Sequence, residues 1–237
     1  MRLPASDATG RMGRVNARGG RLLAIAHRSG NSLDGLRDAL AAGVDLVECD
    51  VYAHRGRLEV RHLRSMGRVP YLWDTGVLIR RDAYDLLELP ALVAALDGDS
   101  RLMIDLKGLR PRVAGTVAAL LREVAPGRPL TVCGKSWWNL DVFDPPVRRV
   151  LSASNRVGLA RLRRRLARTP AYGASVERRL LTPDLVTELQ RSTEVVMTWP
   201  VDTAEELADA RRLGVDAVIS KNLPLLGEVL AGGRDSV

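Results

Sequence analysis

The stretch LLAIAHRSGNSLDGLRDALAAGVDLVECDVY, residues 22–52, decides the fold. Leu22 to Ala26 form an unbroken apolar run, as expected of a strand buried on both faces. Ser32 can cap an apolar-periodic helix that Gly43 ends, and the run DLVECDVY reads as a second strand. Strand, helix and strand in this order make one unit of a parallel α/β fold. His27 and Arg28 stand at the carboxyl end of the first strand, where such folds place their chemistry.

The same alternation continues along the chain. Further strand-like runs are RLMIDLK, LTVCGKS, RRVLSAS, AYGASV, EVVMTW and DAVISK. Helix-like runs are LPALVAALDG, RVAGTVAALLREVA, RVGLARLRRRLAR, TPDLVTELQRS, TAEELADARRLG and LPLLGEVLAGG. Eight strands with intervening helices predict an α/β (β/α)8 TIM barrel. A doubly wound open sheet is the alternative, but no G-x-G-x-x-G turn follows the first strand. Between WWNL and RRVLSAS the helix signal is weakest. Residues 57–89 read as a small insertion after strand 2, a short strand RLEVRH and then a loop-like stretch. Residues 1–20 carry no apolar core segment and read as a mobile basic tail, leaving 21–237 as one barrel domain.

The chain carries a formal charge of +8, and a basic surface attracts anions. Aromatic residues are only 4% of the whole, which speaks against stacking platforms for nucleic acid. The densest basic run, LARLRRRLAR, keeps Leu159, Leu162 and Leu166 on one helical face. It reads as a solvated helix face, with peripheral contact to acidic lipid as the alternative. Cys49 and Cys133 lack metal or redox spacing and sit in strand-like runs, which predicts reduced core residues of a cytoplasmic protein.

In a strand, residues i and i+2 share a face. Glu48 and Asp50 therefore project together, as do Asp105 and Lys107. Like charges at this spacing repel unless a cation or a proton relieves them. Lys107 can neutralise Asp105, yet three carboxylates from two strands also make an oxygen cage for Mg²⁺ or Ca²⁺. His62 ends the inserted strand, whereas His54 falls in a turn between charged residues and is expected to be inert. Trp199 and Lys221 end the last two strands.

The pieces AHR, VECDV, LEVRH, MIDLKG and VVMTWPVDTAEELADARRLGVDAVIS, in this order, resemble the glycerophosphodiester phosphodiesterase family from Leu22 to about Leu226. The resemblance implies a TIM barrel with its site at the strand carboxyl ends. It implies a divalent metal, Mg²⁺ or Ca²⁺, on Glu48, Asp50 and Asp105, and His27 and His62 as general acid and base. Arg28 and Lys107 would hold the phosphate and Trp199 would line the pocket. The implied reaction is hydrolysis of a small-molecule phosphodiester to a phosphomonoester and an alcohol, with no nucleic-acid partner. A non-catalytic barrel holding a phosphorylated ligand, or a lysophospholipase D-like enzyme at membrane surfaces, are the alternatives. The chain departs from the family at four points: a shortened first loop with Gly30 where the family has glutamate, Leu63 after the second histidine, Asp105 where glutamate is frequent, and SKNLP where the family has Thr-Asp before a late proline. These departures bear on substrate more than on reaction type, and predict a less acidic rim that favours bulkier or lipid-like phosphodiesters.

Overall fold

In the computed structural model, residues 20–67, 69–108 and 111–232 are described; most of the predicted basic tail lies outside them. Thirteen strands and seven α-helices follow one another along these residues. The first unit is β1 (Leu23–Ala26), α1 (Leu33–Ala41) and β2 (Leu46–His54). The excursion after it holds β3 (Arg57–Val60), β4 (Arg64–Ser65), β5 (Tyr71–Asp74), β6 (Val77–Arg80) and β7 (Leu87–Glu88). Then come α2 (Leu89–Ala95), β8 (Leu102–Leu106), α3 (Pro111–Val124), β9 (Thr131–Gly134) and β10 (Arg148–Ala153). The chain ends with α4 (Arg156–Leu166), β11 (Ala171–Glu177), α5 (Pro183–Gln190), β12 (Thr193–Trp199), α6 (Ala204–Leu213), β13 (Ala217–Ser220) and α7 (Leu223–Gly232).

Eight of the strands, β1, β2 and β8 to β13, pair in parallel. Because β1 bonds to both β13 and β2, the sheet closes on itself as a (β/α)8 barrel. Closure leaves no free edge in the barrel. The weak helix signal before RRVLSAS corresponds to a 3-10 segment, Trp137–Val142.

Strand alternation sorts the buried side chains into two layers. Leu23, Ile25, Leu46, Met103, Cys133, Val195, Met197, Ala217 and Ile219 fill the barrel. Their strand neighbours, among them Ala24, Val47, Cys49, Ile104, Val132, Val196 and Val218, pack outward under the helices. Both cysteines are buried and unpaired, one in each layer. Continuing the inward series by steps of two from the apolar interior gives Glu48 and Asp50 on β2, and Asp105 and Lys107 at the end of β8. It also gives Lys135 after β9 and Trp199 on β12. The polar layer is therefore the carboxyl-end layer of an otherwise apolar barrel, which is where active sites of this architecture sit.

The insertion is more ordered than the loop-like reading of its sequence. The far half of β2 leaves the barrel and pairs antiparallel with β3, which pairs in turn with β7. Between them β4, β5 and β6 form a separate antiparallel sheet. Its hairpin turns at Thr75-Gly76, with Gly76 at φ 77°, a conformation that glycine adopts at no steric cost. Buried Arg61 ties this sheet down. It donates to Glu59 at 2.8 Å and to Ser65 at 3.0 Å, and it lies over the Tyr52 ring at 4.3 Å. Arg81 shares the Glu59 carboxylate, so no charge in the cluster is left unpaired.

Candidate active site

β1 delivers His27 and Arg28. The His27 backbone N–H donates to the Ser220 carbonyl at 2.7 Å, which fixes the turn to the neighbouring strand β13. Arg28 then takes a left-handed backbone conformation, φ 60°, uncommon for a side chain with a Cβ. In that conformation its N–H donates to Glu48 Oε2 at 2.7 Å. The first loop is short because it lies flat on β2. Gly30 is buried there, and a Cβ on it would meet Cys49 Cβ at 2.9 Å and the Glu48 carbonyl at 3.1 Å. A glutamate does not fit this position, so position 30 is a packing site and the first loop brings no carboxylate to the rim there.

Asn31 comes next and clamps Asp50. Its amide donates to Asp50 Oδ2 and its carbonyl accepts from the Asp50 backbone N–H, both at 2.8 Å. Ser32 caps α1, accepting from the Gly35 N–H at 3.1 Å.

The carboxylates Glu48, Asp50 and Asp105 offer oxygens that lie within 4.8 Å of one another. Two oxygens bound to one Ca²⁺ at about 2.4 Å can be at most about 4.8 Å apart, so this spacing suits a single hard cation. The electrostatics point the same way. Burial, then the proximity of Asp50 and Asp105, pushes the Glu48 carboxyl well above its ordinary range. Burial also raises Asp105. For Asp50, burial acts upward, but Lys107 and the Asn31 amide outweigh it and hold the carboxyl low. Lys107 contacts Asp50 at 2.6 Å and also pairs with Asp105. Burial would lower this ammonium, yet Asp105, Asp50 and Glu48 together hold it well above its ordinary value. Lys107 and the more distant Arg28 guanidinium do not balance three clustered carboxylates, two of them buried, so the donor set fits a divalent cation beside Lys107.

Both strand-end histidines reach this mouth. His27 Nε2 lies 4.0 Å from Glu48 Oε2. Burial, and next the Arg28 guanidinium, pushes His27 down to about 4. His62 stands beyond β3, with Arg28 Nη2 against its Nε2 and Asp74 Oδ2 2.6 Å from its Nδ1. A guanidinium can only donate, so Nε2 of His62 accepts from it and the ring proton sits on Nδ1, donated to Asp74. Arg28 Nε also approaches Asp50 Oδ2, at 3.8 Å. Arg28 therefore bridges the carboxylates of the barrel and the histidine of the insertion. His54 ends β2 at the hairpin to β3, and among the described residues it makes no hydrogen bond or ion pair with this group.

Three participants were not foreseen from sequence. Asp74 lies in the stretch taken for a loop, and twelve residues separate it from the imidazole it orients. Asn31 acts through Asp50. Lys135 has its ammonium 5.7 Å from the Trp199 ring centre, which brings a further cation to the site. The spacing Thr131, Cys133, Lys135 held the signal for Lys135, since it continues the inward face of β9.

The basic helix α4 follows the solvated reading. Leu159, Leu162 and Leu166 are buried, Arg163 pairs with Glu188 at 2.7 Å, and Arg165 pairs with Asp141 at 2.8 Å. No helix among the described residues is long and apolar enough to cross a membrane.

No family model and no curated protein sequence matches the chain. Solved structures do. A Silicibacter pomeroyi protein bearing the name glycerophosphoryl diester phosphodiesterase superposes with a TM-score of 0.76 at 18% identity, over 92% of this chain and 96% of its own. The glycerophosphodiester phosphodiesterase of Thermotoga maritima gives 0.71 at 17% identity, over 89% and 99%. An Oleispira antarctica phosphodiesterase, solved with its product sn-glycerol-3-phosphate, gives 0.69 at 16% identity, over 89% and 97%. These likenesses show that the chain has the barrel fold of those proteins across nearly its whole described length.

Proposed function

We propose that this chain is a metal-dependent phosphodiesterase that hydrolyses a glycerophosphodiester, or a related small phosphodiester, to a phosphomonoester and an alcohol. The observation that carries this reading is the convergence of His27, His62 and Arg28 on the carboxylate set of Glu48, Asp50 and Asp105. An anion-binding pocket needs cations; it has no use for three clustered carboxylates. The fold likeness to phosphodiesterases supports the same class.

Glu48, Asp50 and Asp105 would hold the cation, Mg²⁺ or Ca²⁺. When bound, it supplies polarisation of a phosphoryl oxygen and neutralises charge that develops there. Arg28 offers a fork of donors to the other phosphate oxygens, and Lys107 adds a point charge. His62 presents Nε2 toward Arg28 and Nδ1 toward Asp74, while His27 stands beside Glu48. A bound phosphate anion opposes the depression of His27 by burial and Arg28, and so favours its protonated form. One imidazole then takes the proton from the attacking hydroxyl as its oxygen bonds to phosphorus. The other gives a proton to the departing alcohol oxygen as the phosphorus–oxygen bond breaks. With the neighbouring glycerol hydroxyl as attacker the first product is a cyclic phosphate, which water opens through the same two groups in exchanged roles. Trp199 and Lys135 would flank the organic part of the substrate.

The test is a turnover screen over glycerophosphocholine, glycerophosphoinositol and a lysophospholipid, each with and without chelator. Cleavage that stops on chelation and returns with Mg²⁺ or Ca²⁺ supports the assignment. Binding of sn-glycerol 3-phosphate without cleavage of any diester would replace it with a binding barrel.

A further inference from the structure

We infer that the outer face of the β4–β5–β6 sheet is a docking surface for an anionic lipid bilayer. Directly paired residues of an antiparallel sheet point to the same side. The register pairs Arg64 with Trp73, Trp73 with Leu78, and Tyr71 with Arg80. Those five side chains therefore share one face. The opposite face carries Leu72, which is fully buried, Ser65, which holds Arg61, and Asp74, which holds His62.

Among the described residues the outer face is left exposed. Leu78 is 59% exposed, Trp73 43% and Tyr71 36%, and Met66 at the end of β4 is 46% exposed. Met66, Tyr71, Trp73 and Leu78 are four of the ten large apolar side chains that are exposed among the described residues, and they gather on one small sheet, a patch and not scatter. Trp138 and Val157, also exposed, follow β9 and β10 at the carboxyl end of the barrel and so lie toward the same end.

The chemistry of the patch selects its partner. Aliphatic tips with an indole and a phenol beside them suit the boundary between hydrocarbon and head group. Arg64 and Arg80 at two edges suit lipid phosphates, although Arg80 is shared with Asp82 at 2.6 Å. The overall charge of +8 favours an anionic surface over a neutral one. Since β5 presents Asp74 on its other side, a docked sheet holds the barrel mouth at the bilayer. The docking surface stands on the two faces of the sheet and is independent of the phosphodiesterase reading.

The experiment is co-sedimentation of the full chain with sucrose-loaded vesicles of phosphatidylcholine, with and without phosphatidylglycerol. The chain should pellet with the phosphatidylglycerol vesicles, less so as salt rises. Trp73→Ser with Leu78→Ser should lower the apparent affinity by about tenfold or more. Arg161→Gln with Arg164→Gln, on the exposed side of α4, should lower it far less than the serine variant does. Unfolding scans check the serine variant; if it melts early, Leu78→Gln alone serves in its place. Absence of pelleting, equal pelleting of the serine variant, or loss of pelleting in the α4 variant overturns the proposal. So does sedimentation showing that the patch joins two copies of the chain.

Discussion

The barrel and its insertion each bring one histidine to the mouth, and they do so by different physical means. His27 sits on the end of β1, a strand whose four residues are all buried and paired with β13, its last two also with β2. Its position follows from the closed sheet, and nothing local is needed to hold it. His62 sits on a short excursion whose strands have two to four residues. Its position depends on three added devices: the buried Arg61–Glu59–Arg81 cluster, Leu72 beneath the small sheet, and Asp74 behind the imidazole. A group placed by a closed barrel is costly to move, whereas one placed by an insertion can be re-aimed by changes that leave the barrel intact. Selectivity is therefore expected to vary through the insertion, and the carboxylate set of the barrel through nothing but loss.

The comparison is tested most severely at the cation. Chelation should take turnover to background, and Mg²⁺ or Ca²⁺ should restore it. Calorimetric titration of the metal should show the binding abolished or greatly weakened by Glu48→Gln. Turnover in excess chelator equal to that without it would detach the three carboxylates from the chemistry. The histidines come next. His27→Ala and His62→Ala should each lower turnover by about 10²- to 10⁴-fold, as loss of a general acid or base does. His54→Ala should leave it as it was, because that ring lies at the β2–β3 hairpin. Equal turnover in either of the first two variants breaks the pairing of acid and base.

A smaller effect separates the insertion from the barrel. Asp74→Asn keeps the shape but removes the carboxylate that accepts the Nδ1 proton of His62. Turnover should fall by about 10- to 100-fold, the range seen when a supporting hydrogen-bond partner is lost. The readout that marks orientation is non-additivity: Asp74→Asn added to His62→Ala should cost nothing further. Additive losses would give Asp74 a separate task.

How much of this the sequence discloses follows the same division. Most of the barrel strands are largely apolar runs between helices with clear ends, the β9–β10 connection being the exception, so periodicity finds them. Glu48, Asp50, Asp105 and Lys107 were legible because they continue those runs at steps of two into the polar layer. Lys135 was equally legible and was passed over. The insertion was opaque for a physical reason. Tyr71 to Arg80 alternates over only four residues on each side of Thr75-Gly76, too short a pattern to separate a hairpin from a loop. Asp74 has no local mark at all, since its role exists only once the hairpin folds back on His62. Gly30 carries a second meaning that periodicity does not show. Besides lacking a carboxylate, the position is pressed on β2 and leaves no room for a Cβ.

The two glycines that shape these regions give the smallest and sharpest contrast. At Gly30 the backbone is ordinary but space is absent, because Cys49 Cβ and the Glu48 carbonyl leave no room for a methyl group. Gly30→Ala must push the first loop off β2, with an overpacking cost of about 1–3 kcal/mol. The displacement also moves the Arg28 N–H away from Glu48, so metal affinity should weaken with stability. At Gly76 space is ample but the conformation is left-handed, φ 77°. Gly76→Ala should cost about 1 kcal/mol, the penalty of a Cβ in that region, and the cost falls on the hairpin alone. Denaturant unfolding together with metal titration distinguishes the two. Gly30→Ala should shift both measurements, and Gly76→Ala should shift only the first, and less. An equal loss of metal affinity in the two variants would mean that the insertion supports the carboxylates as much as the barrel does, and the division between the two regions would fail.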